Sequence, residues 1–184
     1  MIADKSALLV IDVQNQFVEG LPEEMKGLSV VESVKHVIEA FRKAGRPIIY
    51  FREVHRKNLV DFGRELDGDE DVHAVEETRA ADYFTGIEPL PEEYQIVKRR
   101  YSGFFGTDLE ILLKGLGIEH IYGVGLLTDV CVHYTCADAH QHDYHIHVVR
   151  EAVGGSSLVA HEAALAAIEY LQHGSVISEK EVCE

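Results

Sequence analysis

Residues 120–141 read HIYGVGLLTDVCVHYTCADAHQ, and their order decides the fold. His120–Val124 is a short run rich in Val, Ile and Tyr, too short for a helix and suited to a strand. A tight GLLTD turn follows at 125–129, and from Val130 to about Gln141 the spacing is helical. Strand, tight turn and helix in succession are the building block of a parallel sheet.

The alternation continues outward in both directions. Ala7–Val13, Pro47–Phe51, Tyr94–Val97, His145–Val149 and Ser175–Ile177 are further strand candidates. Val30–Ala44 closed by Gly45, Asp108–Leu116 closed by Gly117 and the Ala-rich Ser157–Gln172 closed by Gly174 carry helical patterns. Strands apolar on both faces, alternating with helices, predict a doubly wound α/β domain: a mainly parallel, Rossmann-like sheet flanked by helices on both faces. No repeat, low-complexity tract or Pro/Gly/Ser linker divides the chain, so residues 1–184 are expected to form one domain. Residues 52–93 interrupt the pattern with an acidic stretch holding two prolines, and are expected to form an irregular insertion over an active site.

Composition narrows the function. The 184 residues contain no apolar run approaching the ~18 that a membrane span requires. Seventeen Lys and Arg against 32 Asp and Glu give a net charge of −15, whose mean field repels nucleic-acid backbones and anionic membrane surfaces. The opening MIADKSALLVIDVQ does not read as a cleavable leader, and a cytoplasmic location is expected. Three cysteines, Cys131, Cys136 and Cys183, lack a disulfide-framework spacing and direct attention to single-thiol chemistry.

In open parallel sheets, ligands bind beyond the carboxyl ends of the strands. Three chemically useful groups stand there: Asp12 after LLVI, Lys98 after YQIV, and Cys131 after the GLLTD turn. Each alone has an ordinary explanation as a cap, a solvated cation or a small buried hydrophobe. Cys131 has the best local setting, because Thr128 is placed to cap a helix whose first turn would hold the thiol and lower its pKa.

Three stretches, LLVIDVQNQF (8–17), VKRRYSGFFGTDLEILLKGLGI (97–118) and GVGLLTDVCVHYTCADA (123–139), resemble the isochorismatase-like cysteine hydrolases, which include nicotinamidases, N-carbamoylsarcosine amidases and ureido-compound amidohydrolases. The specific part is the ordered set Asp12, Lys98 and the GxxTDxCV run, with its key residues 86 and 33 positions apart. The resemblance implies a triad in which Cys131 attacks an amide carbonyl, Asp12 carries the proton and Lys98 stabilises both anions. It also implies an oxyanion hole from the backbone N–H groups of Leu127 and Cys131, with a cis peptide before Leu127. Isochorismatases proper do not use a cysteine nucleophile at this position, so Cys131 argues for an amidase. The family's members are commonly dimers or tetramers, which implies a homo-oligomer.

The substrate should be declared in FREVHRKNLVDFGRELDGDEDVH (51–73). Nicotinamidases carry a D-x-H pair and a later His that bind a divalent metal; here Glu53, His55 and His73 fall at similar places, with Glu for Asp and Val54 where those enzymes tend to have an aromatic. The departures favour hydrogen-bonding roles, no metal and no cofactor. Arg52, His55 and Arg64 are then expected to bind the substrate, since a guanidinium fork matches a carboxylate or ureido oxygen. The resulting expectation is a cysteine amidohydrolase acting on a small carbamoyl, ureido or linear amide. The alternatives are a metal-assisted pyridine amide hydrolase and a non-catalytic binding protein of the same fold.

Two other patterns carry less. His133, Cys136 and His140 lie on one helix face, with His142, His145 and His147 beyond; helix-packing or interface roles explain them better than a metal tract. Gly123-x-Gly125 echoes a dinucleotide loop but lacks its third glycine, and Asp12-Val13-Gln14-Asn15 replaces a phosphate cradle after the first strand.

Overall fold

The computed structural model describes residues 1–25, 27–68 and 70–184. Six strands, β1 (Ser6–Ile11), β2 (Ile48–Glu53), β3 (Tyr94–Lys98), β4 (His120–Leu126), β5 (His145–Gly154) and β6 (Val176–Ile177), form one sheet in the order β3-β2-β1-β4-β5-β6. All neighbouring pairs are parallel. The chain winds one way from β1 to β3 and the other way from β4 to β6, which is the doubly wound α/β arrangement.

β1 sits at the centre and is buried along its whole length, which is why ALLVI shows no polar alternation. Ala7, Leu9 and Ile11 pack on one face with Leu109 and Leu113 of α3 (Leu109–Gly115), Val132, Cys136 of α4 (His133–Gln141), which begins just after Val132, and Leu165 and Ile168 of α5 (Leu158–Leu171). Leu8 and Val10 pack on the other with α2 (Gly27–Lys43) and α6 (Glu179–Cys183). Val30, Val34, Val37 and Phe41 of α2 recur at helical spacing and are all buried, so packing of one apolar stripe explains that helix. α1 (Asn15–Glu19) is a single turn after β1.

Two features of the central strands shape what lies beyond them. Gly125 has φ 117°, and a Cβ there would come within 2.0 Å of the Ile11 carbonyl oxygen, so only glycine lets β4 approach β1 at this point. The Leu126–Leu127 peptide bond is cis. The chain then enters a π-helical turn at Thr128–Val132, with the Val132 N–H donating to the Leu127 carbonyl at 3.1 Å, before α4 begins.

The sequence places strand ends within a few residues, with one larger difference. β5 runs on to Gly154 through the exposed Arg150 and Glu151, which break its apolar pattern. Among the described residues, the segment after β2 contains only short 3₁₀ turns at Arg64–Asp67 and Arg79–Ala81, tied back by single bridges His55–Val75 and Gln14–Tyr83. Among the described residues, no helix is long and apolar enough to cross a membrane.

Candidate active site

The sheet order brings the ends of β3, β2, β1 and β4 side by side, and with them Lys98, Glu53, Asp12 and Cys131. Lys98 is the hub. Its Nζ lies 2.6 Å from Asp12 Oδ2, 2.7 Å from Glu53 Oε2, 3.0 Å from the Arg100 carbonyl oxygen and 3.3 Å from Cys131 Sγ. All four side chains are buried. Asp12 has φ 50°, a left-handed conformation that Asp tolerates better than most residues, and it turns the chain off the end of β1.

Glu53 is the member that the sequence reading did not place beside Lys98. It is the in-register partner of Lys98 across β2 and β3, so the two side chains leave the sheet together. Gln14 fixes its backbone by accepting from the Glu53 N–H at 2.8 Å and donating to the Glu53 carbonyl at 2.8 Å. One Glu53 oxygen meets Lys98; the other lies 3.2 Å from His55 Nε2 and 3.0 Å from His73 Nε2.

The charges divide into distinct states. Burial pushes the Asp12 carboxyl up to about 6 against the pull of Lys98. Burial works in the same direction on Glu53, but Lys98 and the two histidines outweigh it and hold this carboxyl well below the usual range. Lys98 stays a cation: burial would lower its pKa, and the surrounding anions raise it well above normal. Burial pushes the Cys131 thiol well above its ordinary value, with Lys98 opposing. The expected low thiol pKa is therefore corrected. Thr128 also does not cap the turn, because its hydroxyl lies 2.9 Å from His161 Nδ1. At neutral pH the site rests as Asp12 carboxylate beside Cys131 thiol. Asp12, Glu53 and Cys131 each present an atom within 4.8 Å of the others, and neither Asp12 oxygen has a well-directed hydrogen bond despite its closeness to Lys98.

Cys131 opens into a cavity of about 300 Å³, whose walls include Leu127, Phe17, Tyr101, Glu70 and His73. Leu127 and Cys131, the expected oxyanion pair, thus face the same space. Arg52, His55 and Arg64, the expected substrate contacts, are not among the residues that line it. Arg52 leaves β2 on the side opposite Glu53, 3.7 Å from Asp82 and with its guanidinium 5.1 Å from the Tyr83 ring centre. Arg64 is 95% exposed and pairs with Asp67. His55 is fully buried behind Glu53, stacked on Phe62 with ring centres 3.8 Å apart.

Glu53, His55, Glu65 and His73 each offer a donor atom within 4.8 Å of the others. Their chemistry fits a divalent cation. The Asp71 carbonyl oxygen lies 2.7 Å from His73 Nδ1, which must therefore donate, while Nε2 faces a carboxylate oxygen. Such a pair needs either a second proton or a cation between its members, and a carboxylate with two imidazoles is a familiar zinc set. With the proton, the Glu53 hydrogen bond overrides burial and raises the His73 pKa to about 9. Of the histidines of 133–147, His145 stacks on His120 and His147 Nε2 lies 3.1 Å from His120 Nδ1, while His142 stacks on Phe104 instead.

The family model described as the isochorismatase domain matches residues 6–181, nearly the whole chain. The chain belongs to the isochorismatase family. As an isochorismatase-family hydrolase it resembles a protein of Arabidopsis thaliana described as a probable inactive nicotinamidase, at 34% identity over 86% of this chain and 85% of the relative. It is 30% identical to the ureidoacrylate amidohydrolase RutB of Cronobacter sakazakii, over 90% and 82% of the two chains. The crystal structure of Pyrococcus horikoshii pyrazinamidase in complex with zinc superposes with a TM-score of 0.81 at 32% identity, covering 95% and 99%.

Proposed function

We propose that this protein is a cysteine amidohydrolase that cleaves the C–N bond of a small carbamoyl, ureido or linear amide through a Cys131 thioester. The observation that carries the reading is the Lys98 ammonium 2.6 Å from Asp12 and 3.3 Å from Cys131, directly beneath a substrate-sized cavity that Cys131 lines. A scaffold protein has no use for a buried thiol, base and cation in contact.

The resting protonation state supports general-base activation. Asp12 takes the thiol proton as sulfur attacks the carbonyl carbon, so thiolate need not accumulate beforehand. Lys98 stabilises the sulfur anion as it forms. The N–H groups of Leu127 and Cys131 are assigned to the oxyanion of the tetrahedral intermediate. Asp12 then passes its proton to the departing nitrogen, the C–N bond breaks, and the acyl group remains on sulfur. Water attacks the thioester as Asp12 takes its proton, and release of the acid returns that proton to the thiol.

A second reading is favoured by the donor set Glu53, His55, Glu65 and His73. A divalent cation held there would supply an anchor for a substrate ring nitrogen, as in a metal-assisted pyridine amide hydrolase. The two readings separate in an ammonia-release screen of nicotinamide, ureido acids, biuret-like compounds and maleamate, run before and after exhaustive chelation. The first predicts turnover that survives chelation and vanishes in Cys131→Ala. A rise in KM on chelation, with a pyridine amide the best substrate, would establish the second.

A further inference from the structure

The cavity above Cys131 has a charge pattern unlike the one the sequence suggests. Among the described residues, no Lys or Arg lines it. Lys98 lies beneath the floor, occupied by Asp12, Glu53 and the Arg100 carbonyl. His73 is committed at both nitrogens, to Asp71 and Glu53, and the charge it carries when protonated is matched by the Glu53 carboxylate it faces. Arg99 and Arg100, the next cations in sequence, turn away to the Val54 and Asp61 carbonyls. The walls instead present three acidic side chains, Glu53, Glu70 and Asp129.

These three are not equivalent. Glu53 is neutralised from behind by Lys98. Asp129 accepts the Ser156 N–H at 2.8 Å on one oxygen and the Ser156 hydroxyl at 2.6 Å on the other, which fixes its orientation and occupies both oxygens once. Glu70 is 41% exposed and takes one hydrogen bond on Oε1, from the Tyr101 hydroxyl at 3.1 Å; its other oxygen is 3.8 Å from His73 Nδ1, which already serves Asp71. Among the described residues no Lys or Arg pairs with Glu70 or Asp129. An incoming carboxylate would meet like charge without a fork to receive it, whereas an N–H donor or ammonium would find a carboxylate with lone pairs to spare.

We infer that this pocket selects against substrates bearing a carboxylate and takes a compact neutral or cationic amide, with Glu70 as the residue that reads the end remote from the scissile bond. The inference rests on the amidohydrolase reading for the word amide, but the charge selection belongs to the cavity and can be measured without turnover. Phe17 and Tyr101 add apolar walls to the same cavity of about 300 Å³, so the selected molecule is small and flat or short-chained. Ureido acids are then poor substrates, and uncharged ureas or amino-amides better ones.

The test uses iodoacetamide and iodoacetate, near-isosteric alkylating reagents that differ in one negative charge. The rate at the Cys131 peptide is followed by mass spectrometry, and the rate ratio of the two reagents is divided by that for a free small thiol. The normalised preference for iodoacetamide is expected to be at least about tenfold, a modest repulsion on the affinity scale, and to shrink several-fold in Glu70→Gln and with added salt. In parallel, kcat/KM is compared for butanamide, 3-aminopropanamide and succinamate, with succinamate the poorest and the gap narrowed by Glu70→Gln. Equal alkylation by both reagents, or a ratio that Glu70→Gln leaves unchanged, overturns the inference whatever the enzyme hydrolyses. A clear reagent preference with no amide turned over would leave the charge selection standing and remove the amidohydrolase reading instead.

Discussion

Lys98→Met keeps the aliphatic stem and deletes the charge that two buried carboxylates share. At 2.6 and 2.7 Å, each Lys98 ion pair contributes about 6 kcal/mol of attraction at an effective dielectric of ~20, before desolvation is counted. Much of that offsets the cost of burying the ions, so the net loss for removing one partner of a buried pair is about 3–5 kcal/mol. Asp12 and Glu53 would be left as unpaired anions in one buried site, and one must take up a proton. Asp12 is the candidate, because burial has already brought it to about 6 and Glu53 retains two histidine partners. Its ionisation should then move further up from about 6, and the Cys131 thiol should rise further. Urea unfolding near neutral pH measures the stability loss; alkylation rate against pH measures the thiol. A variant within ~1 kcal/mol of the wild type, with an unchanged alkylation profile, would refute the hub role of Lys98.

Cys131→Ala should abolish amide hydrolysis and leave the fold intact, while Cys136→Ala, buried against the sheet with its thiol pushed up to about 12, should keep activity and cost roughly 1 kcal/mol. The kcat/KM profile should fall below pH ~6, since only the Asp12 carboxylate accepts the thiol proton; Asp12→Asn should leave no such limb and negligible rate. The sign for stability is the reverse: with Asp12 raised above its ordinary 3.8, the folded state gains stability as pH drops from about 6 toward 4. That gain should disappear in unfolding curves of Asp12→Asn. Elemental analysis of the purified protein tests the donor set: near-stoichiometric zinc, iron or manganese, lost in His73→Ala, would make the second functional reading the leading one.

Much of this architecture is visible in the chain because the physics behind it is local. An unbroken apolar ALLVI can only be an interior strand, and Asp12 at its end then points beyond the sheet. The sequence singles out Glu53 only beside His55 and His73, and hides its place at Lys98 for a nonlocal reason: their meeting depends on β2 pairing with β3 in one register. A parity argument within β2 would still have separated it from Arg52. Tyr50 packs on the α2 face and Phe51 on the other, so Arg52 follows Tyr50 and Glu53 follows Phe51 toward Cys131. Glu70 had no such signal, lying in a segment without period. The thiol's setting was misread because capping and dipole effects are readable locally, whereas burial by the neighbouring strands is a property of the assembled site and outweighs them here.

The central claim is that Cys131 forms an acyl-enzyme, and acid quenching during steady-state turnover of the fastest amide found tests it most directly. Peptide mass mapping should then show the acyl increment on the Cys131 peptide alone, decaying as substrate is exhausted and absent in Cys131→Ala. Steady ammonia release with no increment on Cys131, or turnover retained in Cys131→Ala, would contradict the account.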